Sequence, residues 1–182
     1  VVGGARSGVA AARLLVARGA NVVLTDARSA IEAQDTLAPL GVELALGGHP
    51  PGLLAGARLV VVSPGVSAGH PFIAAARQAG VPVVGEIELA SRWLRGRVIA
   101  ITGTKGKSTT TALTGRILTE AGRHAPVAGN IGTPLADHVA VSTPDNVVCF
   151  SADSRLDGKG PFVGRDRHRI RISVDRLPLG KG

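Results

Sequence analysis

Short, unbroken aliphatic runs alternate with helix-compatible stretches from Val1 to about Phe150. The runs are Val1-Val2, Val22 to Thr25, Val42 to Leu46, Leu59 to Val62, Pro82 to Val84, Val98 to Ile101 and Val147 to Phe150. They show no apolar–polar alternation and so predict strands buried on both faces, as in a parallel sheet. Between them the pattern predicts helices over 8–18, 31–38, 71–79, 87–95 and 107–121. Gly19, Gly41, Gly80 and Gly122 each follow one of these stretches, where a left-handed helix terminus favours glycine. Strand–helix alternation of this kind predicts an α/β fold with right-handed crossovers.

Composition narrows the partners. The chain has 182 residues, 45% of them apolar and 19% charged, which is ordinary for a globular protein. With only four aromatic residues the core must be aliphatic and alanine-rich. The single cysteine, Cys149, excludes an intrachain disulfide and a cysteine-based zinc site, and reads as a core residue in a strand. The five histidines are scattered without metal-ligand spacing. No run reaches the roughly 18 apolar residues of a membrane span, so no membrane partner is expected. A net charge of +8 invites a nucleic-acid reading, but half of it falls in the last 32 residues. Residues 1–150 carry 13 basic and 9 acidic groups, and residues 151–182 carry 8 and 4. The body of the chain therefore has no nucleic-acid footprint.

Two glycine loops carry the candidate chemistry. Val98 to Ile101 leads into Thr102-Gly103-Thr104-Lys105-Gly106-Lys107-Ser108-Thr109 and then a helix, on which Leu113, Ile117, Leu118 and Ala121 are expected to share the buried face. Strand, glycine loop and helix in this order make a phosphate cradle. Glycines let backbone N–H groups turn toward phosphate oxygens, and the helix N-terminus adds partial positive charge. Residues 103–109 are the expected nucleoside-triphosphate site, which the resemblance stated below makes an ATP site: Gly103, Thr104, Lys105, Gly106, Lys107, Ser108 and Thr109. Lys107 would neutralise the β/γ-phosphates, and Ser108 would ligate Mg²⁺. The general pattern G-x-x-x-x-G-K-[ST] places glycine at 101, where this chain has Ile101.

The other loop, Gly3-Gly4-Ala5-Arg6-Ser7-Gly8, follows a strand and opens a helix, with Asp26 ending the second strand. That geometry suits a dinucleotide, yet Ala5 stands where the middle glycine would admit a pyrophosphate. Three readings stay open: a nicotinamide dinucleotide, a different diphosphate such as a UDP-sugar, or a structural turn with a solvated Asp26.

Taken in order, GGARSGVAAARLL (3–15), Asp26, Ser63-Pro64-Gly65, GEIEL (85–89), TGTKGKST (102–109) and Gly129-Asn130-Ile131-Gly132 resemble the Mur ligases, in particular the D-glutamate-adding members. The resemblance implies a cytoplasmic enzyme of peptidoglycan synthesis. It would use ATP and Mg²⁺ to activate the carboxylate of UDP-N-acetylmuramoyl-L-alanine as an acyl phosphate, which the amine of D-glutamate then attacks. It implies a Rossmann-like N-terminal domain over 1–95, then the beginning of a P-loop ATPase central domain over 97–150. It assigns Ser7, Asp26, Arg28 and Gly65 to the uridine diphosphate end, with Asp26 accepting from the uracil and Asn130 reaching the diphosphate region. Plainer roles stand beside these: Ser7 as a cap of the first helix, Asn130 as a turn residue, and Arg28 as a solvated charge.

After Val148 the resemblance implies an acid that helps hold Mg²⁺ and a Ser-Ser-Phe-Gln run. The chain instead reads Cys149-Phe150-Ser151-Ala152-Asp153, with Asp153 offset from the acid's place. Residues 151–182 read as an atypical basic tail without a clear fold: frame-shifted or disordered sequence, or an arm for nucleic-acid or membrane phosphates. Val1-Val2 reads as the end of a strand with residues expected upstream, and without a third, amino-acid-binding domain the chain is expected to bind ligands but not to turn over. The rival functions are an NAD(P)-dependent oxidoreductase on the Gly3 loop and a P-loop nucleotide-binding module without ligase activity.

Overall fold

A computed structural model describes residues 1–129, 131–151 and 169–173. The chain divides into two compact units, Val1–Ser91 and Arg92–Gly182. Both are α/β, and among the described residues every strand pairing is parallel.

In the first unit, α1 (Arg6–Ala17), β1 (Val23–Asp26), α2 (Gln34–Leu37), β2 (Glu43–Leu46), β3 (Val60–Val62), α3 (Pro71–Gln78), β4 (Val83–Gly85) and α4 (Glu86–Ser91) follow in order. β1 pairs with β2, and β3 with β4. Val2 joins the two pairs by bridging both Thr25 and Val62. The N–H of Val2 donates to Val61 O at 2.8 Å, and that of Gly3 to Thr25 O at 2.8 Å. The order is therefore β2, β1, the Val2 segment, β3, β4, with the first strand in the middle. Val1 packs with Val9, Leu24 and Val42 in the cluster beneath α1, while Val2 packs with Phe72, Ile73 and Ala76 of α3. Adjacent residues of an extended chain face opposite sides, so these two valines seed cores on both faces of the sheet.

The expected strands lie within a residue or two of those observed. Two helices are shorter than expected: α2 gives way to a 3-10 turn over Ala38–Leu40, which contains Pro39, and α4 ends at Ser91 instead of near 95. Gly19, Gly41, Gly80 and Gly122 all have positive φ, between 72° and 78°, as their places at helix ends require.

The second unit holds β5 (Arg97–Thr102), α5 (Lys107–Glu120), β6 (Val127–Gly129), β7 (Val147–Ser151) and β8 (Arg169–Ser173), in the sheet order β6-β7-β5-β8. β6 and β8 were not among the expected strands, and β8 lies in the segment that was expected to have no clear fold. The expected buried face of α5 is not the one the structure uses. Leu113 and Ile117 are each 56% exposed, while Thr111 and Gly115 are buried and Leu118 is half-buried against β7 and β6. A Cβ at Gly115 would lie 2.5 Å from the Val127 side chain. Close approach to the sheet, not side-chain size, selects the face, and Thr111 satisfies its buried hydroxyl by donating to Lys107 O at 2.7 Å. Cys149 is wholly buried, and burial pushes its thiol up to about 11, so it is a neutral core residue. Among the described residues no helix is long and apolar enough to cross a membrane.

Candidate functional site

Ligands of open parallel sheets sit at the carboxyl ends of the strands, where the strand order reverses. In the first unit that edge gathers the Gly3–Gly8 loop, Asp26 at the end of β1 and Ser63-Pro64-Gly65 after β3. Ser63, buried, donates from Oγ to Gly3 O at 3.0 Å and so ties the two loops together. Gly8 is needed because α1 crosses the loop closely: a Cβ there would lie 1.8 Å from Gly3 O. Ser7 does not cap α1. The N-cap is Ala5, without a side-chain cap bond, and Ser7 lies half-buried in the first turn. Gly65 is exposed, with open space where a Cβ would point.

Asp26 is not a solvated acid. It is 7% exposed, and its carboxylate accepts four bonds. Oδ1 accepts from Arg28 N and Nε, each at 2.9 Å, and Oδ2 from Gly4 N at 2.6 Å and Arg28 Nη2 at 2.9 Å. The carboxylate thus pins the glycine loop to the end of β1. Arg28, correspondingly, is an ion-pair partner and not a lone solvated charge. The side-chain bonds from Arg28, with the backbone N–H groups of Arg28 and Gly4, hold the carboxyl well below its usual 3.8 against the opposing effect of burial.

A depressed folded pKa contributes stability above the unfolded value, and that stability is lost as pH falls through it toward the folded one. We therefore expect the thermal midpoint of the chain to fall as pH is lowered below about 4, with Asp26→Asn flattening that slope. Asp26→Ala should cost about 2 kcal/mol by stranding the Gly4 N–H. Thermal melts from pH 7 to pH 3 check both, and an unchanged slope in Asp26→Asn would remove Asp26 as the acid-sensitive fastener.

Two histidines that look scattered in the sequence meet at this edge. The His49 and His70 rings stand edge to face with centroids 4.8 Å apart. Thr25 Oγ1 donates to Gly48 O at 2.7 Å, so its 3.0 Å contact with His49 Nδ1 is a bond donated by the ring. His70 Nδ1 accepts from Phe72 N at 3.2 Å and caps α3. Burial, then the neighbouring His70, lower the His49 pKa. The available signal was that each histidine precedes a proline, His49-Pro50 and His70-Pro71. A cavity of about 610 Å³ opens toward the strands' amino ends, against Val22, Val23, Leu59 and Val60, and reaches Thr25 and Phe72.

In the second unit β5 continues to Thr102, so Ile101 is a strand residue with a wholly buried side chain, not part of the loop. This is why glycine is absent at 101. The turn is confined to residues 103–106, with φ of 151° at Gly103 and 75° at Gly106, values that side chains disfavour. Gly106 is the N-cap of α5, and the first helical bond runs from Thr110 N to Gly106 O at 2.9 Å. The N–H groups of Lys107, Ser108 and Thr109 thus have no carbonyl within the helix and face the loop mouth, as an anion site requires. Lys107 Nζ donates to Gly103 O, so its ammonium spans the loop it would serve. Lys105, Ser108 and Thr109 are exposed.

Ser108 offers a hydroxyl, β7 carries no acid, and among the described residues no three histidine, cysteine or carboxylate groups gather as a metal site. Asn130 lies outside the described residues.

Residues 1–85 match the family model for the Mur ligase MurD-like, N-terminal domain. The UDP-N-acetylmuramoylalanine--D-glutamate ligase of Syntrophotalea carbinolica is 44% identical over 179 residues, covering 97% of this chain and 40% of that protein. The enzyme of the same name from Frankia casuarinae is 51% identical over 158 residues, 85% of this chain and 33% of that protein. A solved murein peptide ligase from Psychrobacter arcticus aligns with a TM-score of 0.50 at 25% identity, covering 84% of this chain and 36% of that one. The chain therefore spans about two fifths or less of the length of these relatives. Over residues 1–85 the glycine loop, the parallel sheet and the family model agree: this part of the chain is a MurD-like N-terminal domain of the Mur ligase family.

Proposed function

We propose that this chain carries the nucleotide-sugar site and the ATP-binding loop of a cytoplasmic ligase that joins D-glutamate to UDP-N-acetylmuramoyl-L-alanine in peptidoglycan synthesis. The observation that carries the reading is the loop from the buried end of β5 to α5, with Lys107 folded across it onto Gly103 O. Gly103 to Thr109 cradle the ATP phosphates through backbone N–H groups, with Lys107 stabilising charge on the transferred phosphoryl group. A carboxylate oxygen of the substrate takes that group and ADP leaves. The D-glutamate amine then attacks the acyl carbon, releasing phosphate and a proton. Phosphoryl transfer of this kind asks the protein for positioning and charge neutralisation, which the loop supplies. At the other edge, Ser7, Gly65 and the Asp26–Arg28 pair receive the uridine diphosphate end, Arg28 turning from its carboxylate toward the ligand, with Asn130 as a further diphosphate contact.

Isothermal titration of the 182-residue chain tests both halves. UDP-N-acetylmuramoyl-L-alanine should bind, NADH should not, and ATP should bind in a Lys107-dependent way. Binding of NADH with no response to the muramoyl nucleotide would overturn the reading in favour of an oxidoreductase. ATP binding alone would leave only a nucleotide-binding module.

A further inference from the structure

The loop over residues 47–49 is tied to the end of β1. Gly47 N donates to Arg28 O at 2.9 Å, Gly48 N to Asp26 O at 3.1 Å, and the hydroxyl of buried Thr25 to Gly48 O at 2.7 Å. The loop thus braces the backbone of the two residues whose side chains form the Asp26–Arg28 ion pair. His49 closes it from above. Its ring donates from Nδ1 to Thr25 Oγ1, lies 5.8 Å from the Phe72 ring between centroids, and meets His70 edge to face. His70 Nδ1 in turn accepts from Phe72 N, one of the donors that the first turn of α3 leaves without a carbonyl. Both histidines are half-buried.

These contacts are those of neutral imidazoles. An imidazolium donates from both nitrogens, so a protonated His70 has no lone pair for Phe72 N and sets a positive charge at the amino end of α3, where the helix dipole opposes it. A protonated His49 brings charge into a corner formed by Phe72 and the other histidine. Few charges face the pair. From β1 it meets Asp26, whose carboxylate is already bound to Arg28 and Gly4 N; α3 carries only Arg77, in its last turn; residues 50–54 and 63–69 carry none. Burial, then His70, lower the His49 pKa against the attraction of Asp26. A base so depressed favours the closed corner above the usual histidine value of about 6.5, and that stability is lost as pH falls below it. Building on the nucleotide-sugar reading above, we propose that the His49–His70 pair is a pH-sensitive latch on the candidate ligand edge: as the rings take up protons, residues 47–49 part from α3 and release their brace on Asp26 and Arg28. The Asp26 carboxylate itself stays ionised in this range, so the latch acts by position and not by discharging the ion pair.

Two measurements on the 182-residue chain test this. Hydrogen exchange of the Gly47 and Gly48 amides reads the latch without any ligand. Their protection should fall about tenfold between pH 7.5 and pH 5, while that of Leu24 in the core of β1 holds. The affinity for UDP-N-acetylmuramoyl-L-alanine should weaken about tenfold over the same range, in which the ligand's carboxylate keeps its charge. The control is the double variant His49→Gln, His70→Asn. Glutamine keeps a donor for Thr25 and asparagine an acceptor for the α3 cap, and neither titrates. It should lose both pH dependences, to within about twofold. Protection at Gly47 and Gly48 that is unchanged at pH 5, or that falls equally in the double variant, overturns the latch. Ligand affinity that is the same at pH 7.5 and pH 5 overturns it too and leaves the nucleotide-sugar site standing. No binding of the ligand at pH 7.5 removes that site instead, and the exchange measurement then decides the latch alone. Should the double variant fail to fold, the two single variants, each expected to lose at least half of the fall in protection, take its place.

Discussion

Lys107→Met is expected to lower the affinity of the chain for ATP by at least about a hundredfold, or about 2.7 kcal/mol. The size follows from what the ammonium does. It stands at the first position of α5, where the helix N–H groups already favour an anion, and it reaches across the turn to Gly103 O. A charge-assisted bond to a phosphate oxygen contributes about 1.5–3 kcal/mol, and methionine keeps the stem while removing the charge. The folded state loses only the bond to Gly103 O, so the thermal midpoint should move little. Titration paired with a thermal melt separates the two effects. Binding within tenfold of the parent chain would mean that the nucleotide sits elsewhere.

The largest stability effect is expected at Gly8. A Cβ there would lie 1.8 Å from Gly3 O and 2.6 Å from Ser63 Oγ. The nearer atom is backbone, in a loop already held by Asp26 through Gly4 N and by Ser63 through Gly3 O. It cannot step aside without breaking one of these ties. Gly8→Ala should therefore cost the first unit at least about 3 kcal/mol, more than ordinary overpacking. Gly65→Ala offers the contrast, since nothing lies within 4 Å of the added Cβ, and its stability should stay within about 0.5 kcal/mol of the parent. If Gly65→Ala weakens the muramoyl nucleotide at unchanged stability, Gly65 contacts ligand. Denaturant unfolding of the two variants side by side tests the pair, and equal stability would remove the close crossing of α1 as the reason for Gly8.

Much of the architecture was legible because its causes are local. Unbroken aliphatic runs mark strands buried on both faces, and glycines after helical stretches mark positive φ, so strand positions and helix ends follow from neighbours in the chain. The glycine turn of residues 103–106 was legible for the same reason: its strand, turn and helix are contiguous. Even Ile101, which breaks the general motif, is explained by strand length alone, because β5 runs one residue past it.

What the tertiary structure decided depends on surfaces that sequence neighbours do not share. Leu113 and Ile117 look like the buried face of α5, but the helix turns Thr111 and Gly115 inward, since only a small residue lets it approach Val127. Asp26 reads from the sequence only as the acid that ends β1, and the fold alone delivers Gly4 N and Arg28 to its oxygens, one from 22 residues away. His49 and His70 meet because residues 47–49 fold over the end of β1 while α3 begins beside them. Sequence by itself determined most of the strands and helices and where the chain turns, because dihedral preference and hydrophobic period act over a few residues. Only the packing of distant segments decided which side of each helix is buried and which polar groups meet, because those outcomes rest on partners brought together by sheet order.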